Sequence, residues 1–292
     1  MSAEKYREKT YKLFLIAPAI AVVLFVAAPL VYLGYLSLRE FNLILDINRF
    51  VGLKTYLRTL KDVQFFRVLG NNLLYTIVAL GGQFTIGLSM ALLVFHLKSR
   101  LTGVLAVTLS LPLLLMPVSA ALCWRLVMYA PPYAEFNRMF YISTSKYLLS
   151  YPQTVLWAVI LVDIWAWSPW VYLPLLGALH SLPKSQMEAA KMDGASFMQV
   201  VRHVTLPMMK PVILVVLSIN LIGIFRTFNY VQVMTGGGPA NSSHVLSTYI
   251  YQETFSLLAY GRGASMCVMM LFISMAMCMG FLHFSGALKY AQ

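Results

Sequence analysis

The sequence has few charged residues for its length. Of its 292 residues, 11 % are charged and 60 % are hydrophobic, whereas a soluble domain carries about 25 % charged residues. So few charges cannot cover the surface of a soluble protein of this size. Their scarcity excludes a cytosolic enzyme with a charged shell and a disordered tail protein. The class of protein that remains is an integral membrane protein.

Cysteine is also scarce, which excludes a secreted domain held together by disulfides. Cys123, Cys267 and Cys278 lie in apolar runs outside metal-ligand spacing, and we interpret them as small buried hydrophobic residues. The sequence also lacks the phosphate-binding pattern GxxxxGK followed by Ser or Thr, and the nucleophile motif GxSxG. We therefore expect no metal, no bound ATP and no catalytic residue in this chain.

Acidic residues are outnumbered by basic ones, 10 against 22, which gives a net charge of +12. Most Lys and Arg residues lie between long apolar runs, where anionic headgroups and the positive-inside bias explain them better than nucleic acid does. With the N-terminus inside, the inner and outer segments hold equal numbers of Lys and Arg, although the inner segments are shorter. Charge alone therefore leaves the orientation open.

Six stretches are apolar over the roughly 20 residues that a membrane-spanning helix needs. They are residues 13–38, 68–97, 101–124, 152–179, 211–234 and 264–288. Pro112 and Pro117 interrupt the third stretch, while Asp163 and Arg226 are the single charges of the fourth and fifth. The pattern predicts an all-α integral membrane protein with six transmembrane helices.

We find no soluble domain, and we predict one transmembrane domain over residues 1–292. It comprises a tail at 1–12, the first span at 13–38 and a five-span core at 68–288 that includes a polar loop at 180–210.

The polar loop before the fifth span contains several helix boundary residues. Ser185 and Glu188 have the spacing of a capping box, which predicts the start of a short helix. Gly194 is expected to end or bend that helix. Pro207 is expected to end a second helical stretch, and Pro211 to begin the fifth span. The loop is thus predicted to form two short helices joined by a glycine elbow.

The chemistry of this loop fits two interpretations. The small residues Ala189 and Ala190 can let the helix enter a groove of a partner, and the neighbouring methionines offer adaptable apolar contacts. The same helix can also rest on lipid headgroups as an interfacial amphipathic helix. The residues alone leave both interpretations open.

Several residues of the loop resemble the EAA motif of ABC importer permeases. The matching residues are Glu188, Ala189, Ala190, Asp193, Gly194, Thr205, Leu206 and Pro207. Val204 departs from the isoleucine that is frequent in the family. The stretch 235–239 (TGGGP) and the stretch 50–53 (FVGL) resemble the carbohydrate-uptake branch of that family, the MalF/UgpA type.

The resemblance implies a six-span fold of the MetI type and a non-catalytic subunit. It implies that the loop is a coupling helix that docks in a cleft of a cytoplasmic ATPase subunit. The ATPase-coupling residues would be Glu188, Ala189, Ala190, Asp193, Gly194, Leu206 and Pro207. It places both termini in the cytoplasm of a bacterium, with the chain in the inner membrane.

The resemblance also implies the partners. They would be two ATPase subunits that bind ATP and Mg, a second permease subunit related to this chain, and an extracytoplasmic solute-binding protein. This chain would bind no cofactor of its own.

Polar residues on the fourth span are candidates for a substrate pathway, because polar groups inside a membrane are costly. Asp163, Trp167 and Trp170 have the spacing of one helix face. Indole rings suit the apolar face of a sugar, and a carboxylate accepts hydrogen bonds from hydroxyl groups. The alternative is helix packing, with Asp163 paired to Arg226 or to a partner chain.

The fifth span carries a second polar face. Asn220, Gly223, Thr227 and Tyr230 share one side of a continuous helix, with Arg226 and Asn229 beside them. This face can line a pathway or pack closely on another helix. The nine candidate pathway residues are Asp163, Trp167, Trp170, Asn220, Gly223, Arg226, Thr227, Asn229 and Tyr230.

We therefore predict the permease subunit of a binding-protein-dependent ABC importer for a sugar or oligosaccharide. One alternative is an anionic or phosphorylated sugar derivative, which Arg226 could bind through two hydrogen bonds. A second is a secondary transporter, which would show inverted repeats and several intramembrane acids. A third is a membrane-embedded enzyme, which would show a cluster of catalytic side chains at membrane depth.

Overall fold

A computed structural model of the chain describes residues 3–97, 102–129, 139 and 148–286. The start of the predicted third span, most of the loop that follows it and the end of the sixth span lie outside the described residues. The chain divides into two compact units, which we call the N-terminal unit (Met1–Asp62 with Ile250–Leu271) and the main unit (Val63–Tyr249 with Phe272–Gln292). The single-domain interpretation stays a prediction.

The N-terminal unit begins with one long helix and a β-hairpin. Its elements up to residue 62 are α1 (Ala3–Ser37), β1 (Arg39–Asn42), β2 (Ile47–Phe50) and α2 (Lys54–Leu60). The strands pair antiparallel, with Arg39 opposite Phe50. At the turn, the Asn42 side-chain oxygen accepts the N–H groups of Ile44 (2.9 Å) and Leu45 (3.0 Å). Our all-helical expectation missed this hairpin, because its turn depends on that side-chain bond rather than on glycine.

From Val63 onwards the described residues form ten helices. They are α3 (Val63–His96), α4 (Thr102–Leu114), α5 (Pro117–Cys123), α6 (Val155–Ser181), α7 (Lys184–Met192), α8 (Phe197–Val200), α9 (Leu206–Phe225), α10 (Asn229–Met234), α11 (Leu246–Tyr251) and α12 (Tyr260–Ser285). Wider π-helical turns follow α5, α8 and α11, at Trp124–Tyr129, Val201–Thr205 and Gln252–Ser256. The limits of the two units fall inside α11 and α12.

Four helical stretches in the described part of the chain are long and apolar enough to cross a membrane. They are α3, α6, the stretch Phe197–Met234 and α12. The pair α4 and α5 counts as a fifth span only if it is taken together, since the two helices meet at 95°. In α1 the apolar section is Val22–Ser37. These segments correspond to the predicted spans, and the predicted all-α membrane fold is confirmed.

The bend in the third span occurs where its prolines predicted an interruption. Pro112 lies inside α4, and Pro117 begins α5. Proline lacks the N–H group that continues a helix, so the chain can turn between these two positions.

The core of the main unit forms where α3 packs against α6. Gly87 of α3 lies so close to α6 that a Cβ atom there would be 3.0 Å from the Ser168 carbonyl oxygen. Tyr75 on α3 and Tyr172 on α6 are fully buried. This close packing brings the polar residues of α3 and α6 into the interior of the unit.

Two boundaries of the polar loop differ from the prediction. Helix α7 begins at Lys184 after Pro183, and its N-terminus has no side-chain cap, so the capping box expected at Ser185 is wrong. Proline at this boundary fixes the backbone without a capping side chain. A capping box forms instead at α8, where Gln199 accepts the Ser196 N–H at 2.7 Å.

The fifth span also begins earlier than predicted. Helix α9 starts at Leu206, so Pro207 lies in its first turn and Pro211 lies inside it. Proline is tolerated in a first turn because the N–H groups there have no intrahelical acceptor. The prediction that Pro207 ends a helix is therefore wrong.

Candidate functional site

A cavity of about 440 Å³ lies among α5, α6, α9 and α10 of the main unit. All nine candidate pathway residues line this cavity, which we call the polar cavity. Its walls consist of Pro117, Asp163, Trp167, Trp170, Ile219, Asn220, Gly223, Ile224, Arg226, Thr227, Phe228, Asn229 and Tyr230. The structure thus brings together the polar faces of the fourth and fifth predicted spans.

Helix α6 contributes two aromatic rings and a carboxylate to this wall. The rings of Trp167 and Trp170 lie edge to face, with centroids 6.2 Å apart. Asp163 is only 3 % exposed, and its Oδ2 atom has no hydrogen-bond partner within the described part of the chain. The Tyr75 hydroxyl lies beside this carboxylate, yet it also lacks a well-formed hydrogen bond there. A buried polar group without a partner is unusual, so the site has unused hydrogen-bonding capacity.

Asp163 and Arg226 line the same cavity but do not form an ion pair among the residues that the structure describes. Arg226 is exposed, whereas Asp163 is buried. The ion pair between Asp163 and Arg226, which we considered as an alternative to a substrate pathway, is therefore not observed. The cavity offers an acceptor and a cationic donor at separate places.

The sequence analysis missed Gln83, which supports this wall from α3. Gln83 is fully buried, and its side-chain oxygen accepts a hydrogen bond from Asn220 at 2.6 Å. Its amide nitrogen donates to the Asp163 carbonyl oxygen at 3.4 Å. One amide therefore links the helix that carries Asp163 to the helix that carries Asn220. In the sequence, the signal that could have identified this residue was a single glutamine within an apolar run.

The polar face of the fifth span is not one continuous helix, contrary to our prediction. Helix α9 ends at Phe225, residues 226–228 are non-helical, and α10 begins at Asn229. The Thr227 N–H turns back to the Ile224 carbonyl at 2.9 Å. Asn220, Thr227 and Tyr230 nevertheless line the same cavity, although the helix that was predicted to carry all three is interrupted there.

The glycine-rich loop after α10 packs around a buried histidine. His244 is hydrogen-bonded to the Thr248 hydroxyl at 3.1 Å. Gly237 has a φ of +89°, and a Cβ atom there would lie 2.1 Å from the imidazole ring. Burial lowers the pKa of His244 below its ordinary value of 6.5. The ring is therefore kept neutral and closely packed at neutral pH.

The EAA-like loop has the predicted glycine elbow. Gly194 has a φ of +81°, and its N–H donates to the Lys191 carbonyl at 3.0 Å. The Ala195 N–H donates to the Ala190 carbonyl at 3.0 Å. This pair of bonds closes α7 in a Schellman motif, for which glycine is the favoured residue.

The elbow presents a largely exposed surface. Glu188, Ala189, Asp193, Gly194 and Pro207 are exposed, while Ala190 and Leu206 are half-buried. Met192 is 88 % exposed beside them, whereas Met187 packs inside the unit. An exposed apolar side chain between acidic ones fits a partner surface or the lipid interface.

Aromatic rings connect this loop to the spanning helices. The Phe197 ring at the start of α8 meets the His96 ring at the end of α3, with centroids 5.0 Å apart. The neighbouring Phe95 meets His180 at the end of α6, at 5.2 Å. The loop is thus packed against the ends of two spans of the main unit.

Within the described residues there is no group of three or more His, Cys, Asp or Glu side chains that could hold a metal ion. The polar cavity offers only one carboxylate in its wall.

Residues 83–287 match the family model described as binding-protein-dependent transport system inner membrane component. A trehalose/maltose transport system permease protein of Thermococcus litoralis is 31 % identical over 269 residues, which is 91 % of this chain and 90 % of that protein.

Two crystal structures have the same fold, each with a TM-score of 0.83 and covering 97 % of this chain and 96 % of theirs. One is a bacterial ABC transporter involved in the import of the acidic polysaccharide alginate, at 21 % identity. The other is the bacterial alginate ABC transporter in complex with an alginate pentasaccharide-bound periplasmic protein, at 22 % identity.

Proposed function

The chain belongs to the family of inner membrane components of binding-protein-dependent transport systems, and from this membership we propose that it moves a sugar or oligosaccharide through the polar cavity. Members of the family are non-catalytic membrane subunits of ABC importers, so this chain is a permease and not an enzyme. A secondary transporter and a membrane-embedded enzyme are thereby excluded.

The observation that carries the proposal is the composition of the polar cavity. Trp167 and Trp170 supply aromatic surface against which a pyranose ring can lie. The unpartnered oxygen of Asp163 can accept a hydrogen bond from a sugar hydroxyl, and Asn220, Thr227 and Asn229 offer further polar groups. The relative from Thermococcus litoralis is named for trehalose and maltose, which supports this substrate class.

Arg226 favours a second candidate, an anionic sugar. Its guanidinium lines the cavity, is exposed and has no ion-pair partner among the described residues. A guanidinium can bind a carboxylate or phosphate through two hydrogen bonds. The solved transporter of similar fold that imports an acidic polysaccharide supports this candidate.

The EAA-like loop supports the partners that we propose. Its exposed elbow would dock in a cleft of a cytoplasmic ATPase subunit through Glu188, Ala189, Ala190, Asp193 and Gly194. Two such subunits would bind ATP and Mg, and a second, related permease subunit would complete the pathway. This arrangement places both termini in the cytoplasm and the glycine-rich loop outside, where a solute-binding protein would deliver the solute.

Replacement of Trp167 by alanine tests the role of the cavity. The permease is expressed with its ATPase, second permease and binding-protein partners, and the complex is reconstituted in liposomes. Uptake of maltose, trehalose and alginate oligosaccharide is then measured. We expect Trp167→Ala to lower uptake of the accepted probe about tenfold, because an aromatic surface is lost, while basal ATP hydrolysis stays near normal.

Trp157→Ala is the matched control. Trp157 lies on the same helix, is half exposed and lies outside the cavity wall. We expect its uptake to stay near the wild-type level. Equal uptake in the two variants would contradict the cavity role. Uptake of none of the three probes by the wild-type complex would contradict a carbohydrate substrate.

A further inference from the structure

The break between α9 and α10 has two polar side chains bound to its backbone. A helix that ends leaves carbonyl groups without intrahelical partners. In a membrane no water is available to satisfy them, so other protein groups must do so. Asn72 of α3 and Ser247 of α11 bind carbonyl groups of the break, and we call these two residues the break clamp.

Both the nitrogen and the oxygen of the Asn72 side-chain amide form hydrogen bonds. It is 1 % exposed, and its nitrogen donates to the carbonyl of Phe225, the last residue of α9, at 3.2 Å. Its oxygen accepts the N–H of Leu246, the first residue of α11, at 3.1 Å. One buried amide therefore fixes the end of α9 to the start of α11.

Ser247 holds the middle of the break. Its hydroxyl donates to the Thr227 carbonyl, while the Thr227 N–H is bound to the Ile224 carbonyl. The peptide groups on both sides of Thr227 are thus bonded. The backbone at the middle of the break is thus held on both sides of Thr227.

The alternative to the break is a continuous helix, which the apolar sequence around it favours. In a continuous helix the carbonyls of Phe225 and Thr227 would be bonded within the helix. At about 100° per residue, Thr227 would keep the face of Asn220, whereas Arg226 and Asn229 would be turned about 120° and about 180° away from it. The break clamp supplies the bonds that make the interrupted arrangement stable.

We propose that Asn72 and Ser247 are positioning residues that hold the break open and so present Arg226 and Asn229 to the polar cavity. The meaning of that cavity for transport rests on the proposed function. The positioning itself does not, because it can be measured without any solute.

Cysteine labelling tests the positioning role. The native cysteines are replaced by serine, Asn229→Cys is introduced as a reporter, and the purified transporter complex is placed in lipid nanodiscs. The rate of modification by a charged methanethiosulfonate reagent is then measured. We expect Asn72→Leu to lower this rate about tenfold, the effect of losing a buried hydrogen bond. A second reporter, Met198→Cys in the EAA-like loop, should react at an unchanged rate.

Asn71→Leu is the matched control. The Asn71 amide donates to the carbonyls of Ser242 (2.9 Å) and His244 (3.1 Å) in the glycine-rich loop. It anchors that loop but does not bind the break, so the Asn229 reporter should keep its rate within about twofold. An equal loss in the Asn71 and Asn72 variants would overturn the proposal, as would an unchanged rate in the Asn72 variant.

Ser247→Ala decides the question if the Asn72 variant does not assemble, because it removes only the bond to Thr227. We expect it to slow the labelling of Asn229 several-fold, and an unchanged rate would overturn the proposal. A permease that labels as expected but takes up none of the sugar probes would contradict the proposed function and leave the positioning role supported.

Discussion

At the scale of single residues, buried polar side chains shape the region around the polar cavity. Gln83 and Asn72 each bind two other helices, yet in the sequence both stand beside long apolar runs with no sign of their partners. Their partners lie 80 to 174 positions away in the chain. No periodicity within a helix shows such partners, so the sequence could point to Asp163 and Trp167 but not to the amides that support them.

His244 provides a prediction of pH dependence. Burial keeps the pKa of His244 below the 6.5 of an exposed histidine. Its contribution to stability is therefore fully present above about pH 6.5 and is lost as the pH falls toward the folded-state pKa, because the unfolded chain binds a proton first. We expect amide hydrogen exchange in residues 235–249, corrected for intrinsic rates, to accelerate between about pH 7 and about pH 5.5.

His244→Gln is the control for this measurement. Glutamine cannot titrate in this range, so protection of the same amides should not vary with pH in the variant. Protection that is independent of pH in the wild-type protein would show that the burial of His244 does not govern the loop.

At the scale of elements, two interruptions occur where glycine and proline predicted them. The elbow at Gly194 and the bend between α4 and α5 were foreseen from these residues alone. The break at 226–228 was not, because its sequence contains neither glycine nor proline and depends on bonds from Asn72 and Ser247. Local chemistry predicts the interruptions that local residues cause, and misses those that distant residues stabilise.

The elbow of the EAA-like loop carries a prediction about coupling. Gly194 has a φ of +81°, and a Cβ atom there would meet no other atom within 4 Å, so only its backbone angle demands glycine. Gly194→Pro, which fixes φ near −65° and removes the N–H bonded to Lys191, should disrupt the elbow. We expect solute-stimulated ATP hydrolysis and uptake to fall about tenfold or more in reconstituted complexes, with normal membrane insertion.

Gly194→Asn is the matched variant, because asparagine tolerates a positive φ better than other side chains. It should retain most of the uptake. Normal uptake by the proline variant would contradict a coupling role for the elbow.

At the scale of the whole molecule, family membership was predictable because a motif of separated residues, the spacing of the polar loop and six apolar stretches all pointed to one class of transporter. The division into two units was not, because apolar runs do not show which of them pack together. The orientation was left open by charge and was inferred from the EAA-like loop.

Fusions with a reporter enzyme test that orientation. Alkaline phosphatase, which is active only outside the cytoplasm, is fused after Met192 or after Asn241. With cytoplasmic termini, we expect activity only for the fusion in the glycine-rich loop, after Asn241. Green fluorescent protein at the same two positions should give the opposite pattern. Phosphatase activity after Met192 would place the EAA-like loop outside and contradict its docking to an ATPase.

The N-terminal unit limits how permeases of this kind can be recombined. Arg262 forms ion pairs with Asp62 and with the buried Glu253, and the Leu43 N–H donates to the Leu258 carbonyl at 3.1 Å. A Cβ atom at Gly261 would lie 2.0 Å from the Arg39 carbonyl oxygen. The first 62 residues therefore carry a surface matched to a segment about 200 positions later. A hybrid made by exchanging the leading helix and hairpin of two transporters must exchange residues 250–271 with them, or it will join surfaces that were never selected to fit.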